Sequence, residues 1–289
     1  MAYENFIPQV WNEGIERELE RLCVFADDCN RSYEGKIKEK GESVKILGVG
    51  KPTIRSMEKT NKNGDIEGPE TVDDASVILQ VNQIRYFNYM VGDIDKAQSV
   101  GGVMDTLNVE TSEGLANAMD EYIAAFAADD SVPKLYTSPV KVVASETTTD
   151  GEEYVLDVLD KAIEKLQEND VKGSTEIVVT VSPKFYRLFK KAYRNEDSDN
   201  SQILKNGKVG QYGNVTVKLS NNVLKVGSGS DRVDNIMIRT KRAIAFVNPL
   251  THTEPYRPEK KFADAVKGYV LFDGKVVRPK EIININVKY

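Results

Sequence analysis

The chain has 289 residues, with 39 Lys plus Arg against 45 Asp plus Glu and a single His, a formal charge of −6. At about 150 residues per domain, this is one large or two ordinary domains with room for a real core. The acidic balance excludes a nucleic-acid packaging protein. The longest apolar run, Tyr122 to Ala128, has seven residues, against the roughly 18 that a membrane helix needs. Met1 to Pro8 has no basic stretch followed by an apolar one, so neither a membrane span nor a secretory signal is expected. Cys23 and Cys29 flank Asp27-Asp28. Two thiols cannot staple a chain this long, and His252 alone cannot complete a zinc site with them, so reduced thiols, no metal and no cofactor are expected.

In chain order, Ile15, Leu19, Leu22 and Ala26 recur at helical steps and predict a helix from Glu13 to Ala26. The lead-in from Phe6 to Trp11 is apolar and contains Pro8; with its two aromatic rings it is expected to dock rather than face water. Tyr33 to Lys38, a turn at Lys40-Gly41-Glu42, and Val44 to Val49 predict a hairpin. Lys51 to Val72 is polar, with Gly64, Gly68 and Pro69, and reads as an extended loop. Ser76 to Val91 alternates throughout, with Ile78, Ile84, Tyr86 and Met90 on one parity. As one strand it would span on the order of 50 Å, too long for a compact domain and in need of packing from its own body or from another chain.

Leu115, Met119, Tyr122, Ile123 and Phe126 predict a long helix. Gly101-Gly102 weakens it upstream, so its start is expected near the capping candidates Thr111 and Ser112. A second helix is expected from Tyr154 to Leu166, with Asn169 as its stop. Ile177 to Val181 is a buried strand, after which Ser182 and Pro183 supply a cap and first turn for a helix carrying Phe185, Leu188, Phe189 and Tyr193. Beyond a charged break from Asn195 to Asn200, strands are expected at Val215–Leu219, Ile236–Arg239, Ala243–Val247, Tyr269–Phe272 and Ile282–Val287, with a turn at Asp273-Gly274 before Val276-Val277. The class is α+β without a βαβ array.

Catalytic signatures are weak. Gly48-Val49-Gly50-Lys51-Pro52-Thr53 lacks the upstream Gly and the Ser or Thr directly after Lys that a phosphate loop needs, and Pro52 opposes a following helix. Lys59 to Glu70 places Asn61, Asn63, Asp65 and Glu70 near calcium-loop positions, but Lys59 stands where the first carboxylate belongs. A triad would have to run through His252, read instead as a turn or surface residue, with no Gly-x-Ser-x-Gly in the chain. Asp73-Asp74, Asp93/Asp95 and Asp129-Asp130 are pairs that 45 acids make commonplace. The basic clusters Lys36/Lys38/Lys40, Lys190-Lys191, Lys241-Arg242 and Lys260-Lys261 have acids nearby and read as solvated faces.

The order of parts carries more information: an arm, a short hairpin, a long polar loop, a long helix, then an α+β body closed by late strands. Tyr33-Glu34-Gly35 with Gly41 to Ile46, Asp73 to Ser76 with Tyr86-Phe87 and Asp93 to Gln98, Gly207 to Gly213 with Val215, Val217 and Ser220 to Asn222, and Phe262 to Gly268 with Val276 to Pro279 resemble the major capsid protein of tailed phages, the Hong Kong 97-like fold. The resemblance implies an N-terminal arm and helix at 1–30, a hairpin and extended loop at 31–92, a spine helix region and peripheral domain at 93–149, a mainly axial domain at 150–250, and closing strands of the peripheral domain at 251–289. It also implies a non-enzymatic, self-assembling subunit of an icosahedral virion capsid. Pentamers and hexamers of one chain would enclose double-stranded DNA without reading its sequence, with scaffold and portal proteins as partners and assembly in the host cytoplasm. Phe6, Trp11, Ile54, Met57, Asp65, Glu67, Glu70, Arg85 and Tyr86 are the expected subunit-interface residues. Nothing marks a Lys, Asn or Glu for the covalent cross-link that some members form. An encapsulin-type compartment shell, a hydrolase using His252, and a monomeric tail or adaptor component are the alternatives.

Overall fold

A computed structural model describes residues 22–33, 43–49, 74–92, 103–195, 209–212 and 215–289. The expected arm with Phe6 and Trp11, most of the helix from Glu13, the strand that would follow Tyr33 and the loop from Lys51 to Val72 lie outside the described residues.

Strand β1 (Ser43–Val49) pairs antiparallel with β2 (Asp74–Gln80), Ser43 opposite Gln80 and Val49 opposite Asp74. Thus β1 takes its partner from across the loop. The register sets Val44 opposite Leu79 and Ile46 opposite Val77, giving the ribbon one apolar face, which packs on Ala245, Val247 and Leu271. The expected single strand from Ser76 to Val91 is instead two strands in different sheets, β2 and β3 (Gln83–Gly92). The interruption has a cause: Val81 is fully buried, and the Asn82 N–H donates to the Asp273 carboxylate at 3.0 Å instead of to a ladder.

Helix α1 (Val103–Ala124) starts directly after Gly102, ahead of the expected Thr111. Thr111 and Ser112 are interior to it, and their hydroxyls donate back to the carbonyls of Leu107 and Asn108 at 2.6 and 2.9 Å, a bond open to mid-helix hydroxyls. Leu115, Met119 and Ile123 are buried as their spacing predicts.

The largest sheet holds β4 (Val140–Val143), β5 (Glu152–Tyr154), β6 (Ile177–Val181), β7 (Val209–Tyr212), β8 (Val215–Leu219), β9 (Leu224–Val226), β10 (Val233–Thr240) and β13 (Ile282–Lys288). Its order is β5-β4-β13-β10-β6-β8-β7, with β9 paired to β10. Helices α2 (Val155–Glu168) and α3 (Pro183–Asn195) bury Val158, Leu159, Ala162, Phe185 and Phe189 in one core with Ile236, Ile238, Ile283 and Ile285. Ser182 caps α3 as expected, its Oγ accepting from the Phe185 N–H at 3.5 Å.

The third sheet has order β11-β12-β3, from β11 (Ile244–Tyr256), β12 (Ala263–Val276) and β3. β11 is longer than the expected Ala243–Val247. It passes Pro249 at a register shift between Val247 and Leu250, and Pro255 farther on; proline is tolerated on a strand that borders its sheet. The turn expected at Asp273-Gly274 is absent, because β12 continues straight through to Val276. Gly274 serves close packing there, since a Cβ on it would lie 3.2 Å from the Phe126 ring and 3.3 Å from the Ala245 carbonyl.

The helix predicted to reach Ala26 stops at Leu22, and turns carry the chain to Asn30. Asp120 on α1 explains this: its buried carboxylate accepts the N–H groups of Val24, Phe25 and Ala26 at 2.8, 2.9 and 3.2 Å. On the other side, fully buried Arg239 of β10 donates to the carbonyls of Phe25 and Asp28 at 2.8 and 2.7 Å. Asn30 then bonds along β11, donating to Ile244 O and accepting from Phe246 N–H. The strap from Val24 to Asn30 is thereby tied to α1, β10 and β11.

At the far end, Asp234 is fully buried and accepts from Arg232 Nε at 2.7 Å and Nη2 at 3.1 Å. Tyr289 and Ser182 share a hydrogen bond of 2.8 Å beside it. Burial raises the Asp234 carboxyl, but hydrogen bonds from Arg232, Ser182 and Tyr289 and the Arg232 charge outweigh burial and hold it below the usual carboxylate range.

Two stability measurements test these ties. Asp120→Ala should lower unfolding free energy by about 3 kcal/mol in urea, from amides left without an acceptor, and should open 24–30 to protease. Phe185→Ala should cost about 4 kcal/mol without opening it. For Asp234, a depressed folded pKa gives stability present above about pH 4 and lost as pH falls through the folded value. The thermal midpoints of the unmodified chain and Asp234→Asn should therefore differ most near neutrality and converge in acid.

Candidate assembly surfaces

One face of the β11-β12-β3 sheet packs inward through Phe87, Val270 and Phe272, which share a core with Leu115, Met119 and Ile123 of α1. Register then fixes the other face. Tyr86, Tyr269 and His252 lie in one row across the three strands, Asn88, Lys267 and Glu254 in the next, and Met90, Ala265 and Tyr256 in a third. Polar tips are joined along it: Lys267 Nζ lies 3.2 Å from Glu254 and 5.1 Å from the Tyr256 ring centroid, and Tyr256 donates its hydroxyl to Asn88 at 3.0 Å. Apolar bodies are left in water: Tyr86 is 81% exposed and Met90 50%. Such grouping marks an interaction surface more often than a solvated one.

Of the nine residues expected at interfaces, seven (Phe6, Trp11, Ile54, Met57, Asp65, Glu67 and Glu70) lie outside the described residues. The structure does not bring the other two together. Tyr86 and Arg85 are adjacent on β3 and therefore point to opposite faces. Tyr86 projects from the outer face, while Arg85 stands on the α1 side, where its charge acts on the Tyr122 phenol. Met90 and Tyr269 were missed. The parity of Ile84, Tyr86 and Met90 is visible in the sequence; which parity faces outward depends on the pairing to β12, a contact between residues far apart in the chain.

The root of the ribbon is the second feature. The Asp273 carboxylate accepts from Tyr122 OH at 2.6 Å, its neighbour Gly274 N–H at 2.7 Å and Asn82 N–H at 3.0 Å. Lys275 adds a bond to the Ile78 carbonyl at 3.1 Å. Burial, reinforced by Asp273, pushes the Tyr122 phenol well above its ordinary value, so it stays a donor. The β2–β3 junction is thus held to α1 and β12 by one carboxylate.

His252 is a surface residue, one of the two places expected for it, exposed on β11 with its ring 5.6 Å from that of Tyr269. Both cysteines are free. Burial pushes the Cys23 thiol up to about 12 and raises Cys29, which makes both poor nucleophiles. Among the described residues no group of three or more His, Cys, Asp or Glu is placed to hold a metal ion.

No protein-family model and no curated protein matches this sequence. Solved structures do. One from Mycobacterium phage Che8 is 22% identical with a TM-score of 0.66, covering 91% of this chain and 90% of that one. The capsid of the cyanophage P-SCSP1u is 15% identical with a TM-score of 0.63, covering 92% and 88%. A virus-like particle from Pyrococcus furiosus is 10% identical with a TM-score of 0.56, covering 97% and 99%. With about nine-tenths of both chains covered, this chain has the Hong Kong 97-like capsid fold.

Proposed function

We propose that this chain is the structural, non-enzymatic subunit of an icosahedral phage capsid, self-assembling into pentamers and hexamers around double-stranded DNA. The observation that carries this reading is the end-to-end likeness to phage capsid structures, about as complete on their chains as on this one. In this reading residues 1–30 are the arm, 31–92 the hairpin and extended loop, 93–149 the spine helix region with part of the peripheral domain, 150–250 mainly the axial domain and 251–289 the closing strands. The shell belongs to the virion and assembles in the host cytoplasm, with scaffold and portal proteins as helpers.

Contacts in such a shell recur at slightly different angles, so one subunit surface has to serve several settings. The exposed sheet face of Tyr86 and Met90, together with Phe6, Trp11, Ile54, Met57, Asp65, Glu67, Glu70 and Arg85, supplies the contacts between subunits. A second reading has a specific observation in its favour: the likeness to a virus-like particle from Pyrococcus furiosus spans 99% of that chain, which suits an encapsulin-type compartment enclosing protein cargo.

Two outcomes are expected. Deleting Thr60 to Val72 should leave a cooperatively unfolding body that forms no closed shells in negative-stain micrographs; shells of normal size from that deletion would count against the proposal. Particles from the unmodified chain, expressed with its neighbouring genes, should contain double-stranded DNA. Protein cargo in nucleic-acid-free particles would favour the compartment reading.

A further inference from the structure

We infer that the outward rows of α2 and α3 are the two complementary halves of one head-to-tail contact between copies of this chain, an inference that rests on the shell-subunit reading. α3 has no Asp or Glu among its 13 residues. Lys184, Arg187, Lys190 and Lys191 are all exposed, on the side opposite the buried Phe185, Phe189 and Ala192. Among the described residues none of these four cations makes an ion pair, and Lys184 is over the Tyr289 ring at 5.5 Å.

On the same side of the sheet, packed beside α3, α2 turns Asp157, Asp160, Glu164 and Glu168 outward at steps of three, four and four. Its own lysines are engaged at the flank: Lys161 with Glu153 at 2.6 Å and Lys165 with the Lys134 carbonyl at 3.0 Å. The face thus carries a negative row and a positive row side by side.

Like charges one turn apart, such as Arg187 and Lys191 or Glu164 and Glu168, weaken a helix; a surface of opposite sign facing them removes that cost. Two occupants of the α3 row have the right sign. A nucleic-acid backbone laid along α3 would run against the carboxylates of neighbouring α2, whereas a second copy brings both signs. A heterologous contact, α3 of one copy beside α2 of the next, repeats around a ring. It also draws together chains that each carry −6 and otherwise repel.

The test uses the full-length chain with Arg187→Glu/Lys191→Glu, with Glu164→Lys/Glu168→Lys, and with all four together, each checked for folding by circular dichroism. Sedimentation velocity and micrographs at about 0.15 M and 1 M salt are the readout. Either pair alone should raise the concentration needed for association about tenfold, the four together should restore it, and high salt should weaken the unmodified contact. Reversed chains that associate like the unmodified one would overturn the inference and leave the shell reading intact. So would a folded fourfold variant without recovery. Normal shells that lose only their bound DNA would assign α3 to phosphate instead. An unmodified chain that never associates would sink the shell reading itself.

Discussion

The described body depends on two buried charges that never neutralise each other through a direct hydrogen bond. Asp120 points from α1 and Arg239 from β10, and between them runs the strap from Val24 to Asn30, giving its N–H groups to the one and its carbonyls to the other. Charges in an interior are costly unless hydrogen-bonded, and here most of the bonds come from the backbone of the strap, with Cys29 Sγ accepting a further one from Arg239 at 3.2 Å. A short irregular segment is therefore structural: it fills the space between the long helix and the sheets with Phe25 and Ala26, both in the same core as Met119 and Phe246. Burial outweighs the three N–H groups and the Arg239 charge and holds the Asp120 carboxyl above the usual carboxylate range.

From that centre the molecule is rigid inward and open outward. The large sheet and its helices close over one apolar core, and α1 with the inner face of the β11-β12-β3 sheet closes another. Among the described residues the ribbon of β1 and β2 shares a small third cluster with β11 and β12, supplemented by Asp273 and Lys275. An isolated two-stranded ribbon is marginal in water, so its root decides whether it keeps a direction.

Much of this was legible in the sequence, for identifiable reasons. The helical stripes of α1 and α2, the Ser182-Pro183 start of α3 and the apolar run of β6 are local signals, and local signals survived folding. The failures were long-range. Nothing near Val81-Asn82 announces a strand break, because its cause is Asp273, some 190 positions later. Thr111 and Ser112 resemble caps, yet the helix had already begun, since packing can override two glycines ahead of it. Asp273-Gly274 has the composition of a turn, but Gly is needed there for the approach of Phe126. The exposed row at Tyr86 was half visible: alternation supplied the two faces, and only the pairing with Tyr269 chose between them.

The position of β13 has a consequence for biosynthesis. It lies late in the chain but sits between β4 and β10, near the middle of the large sheet. Until Ile282 to Lys288 have been made, β4 and β10 face each other across an empty slot, each with an unpaired edge and apolar side chains awaiting Ile283 and Ile285. The sheet cannot then close in the order of synthesis, and unpaired edges are sites of mispairing. A chain cut short by failed translation would lack its central strand rather than a dispensable end. Such a fragment could not complete the large sheet, so folding itself sets an incomplete chain apart from a finished one.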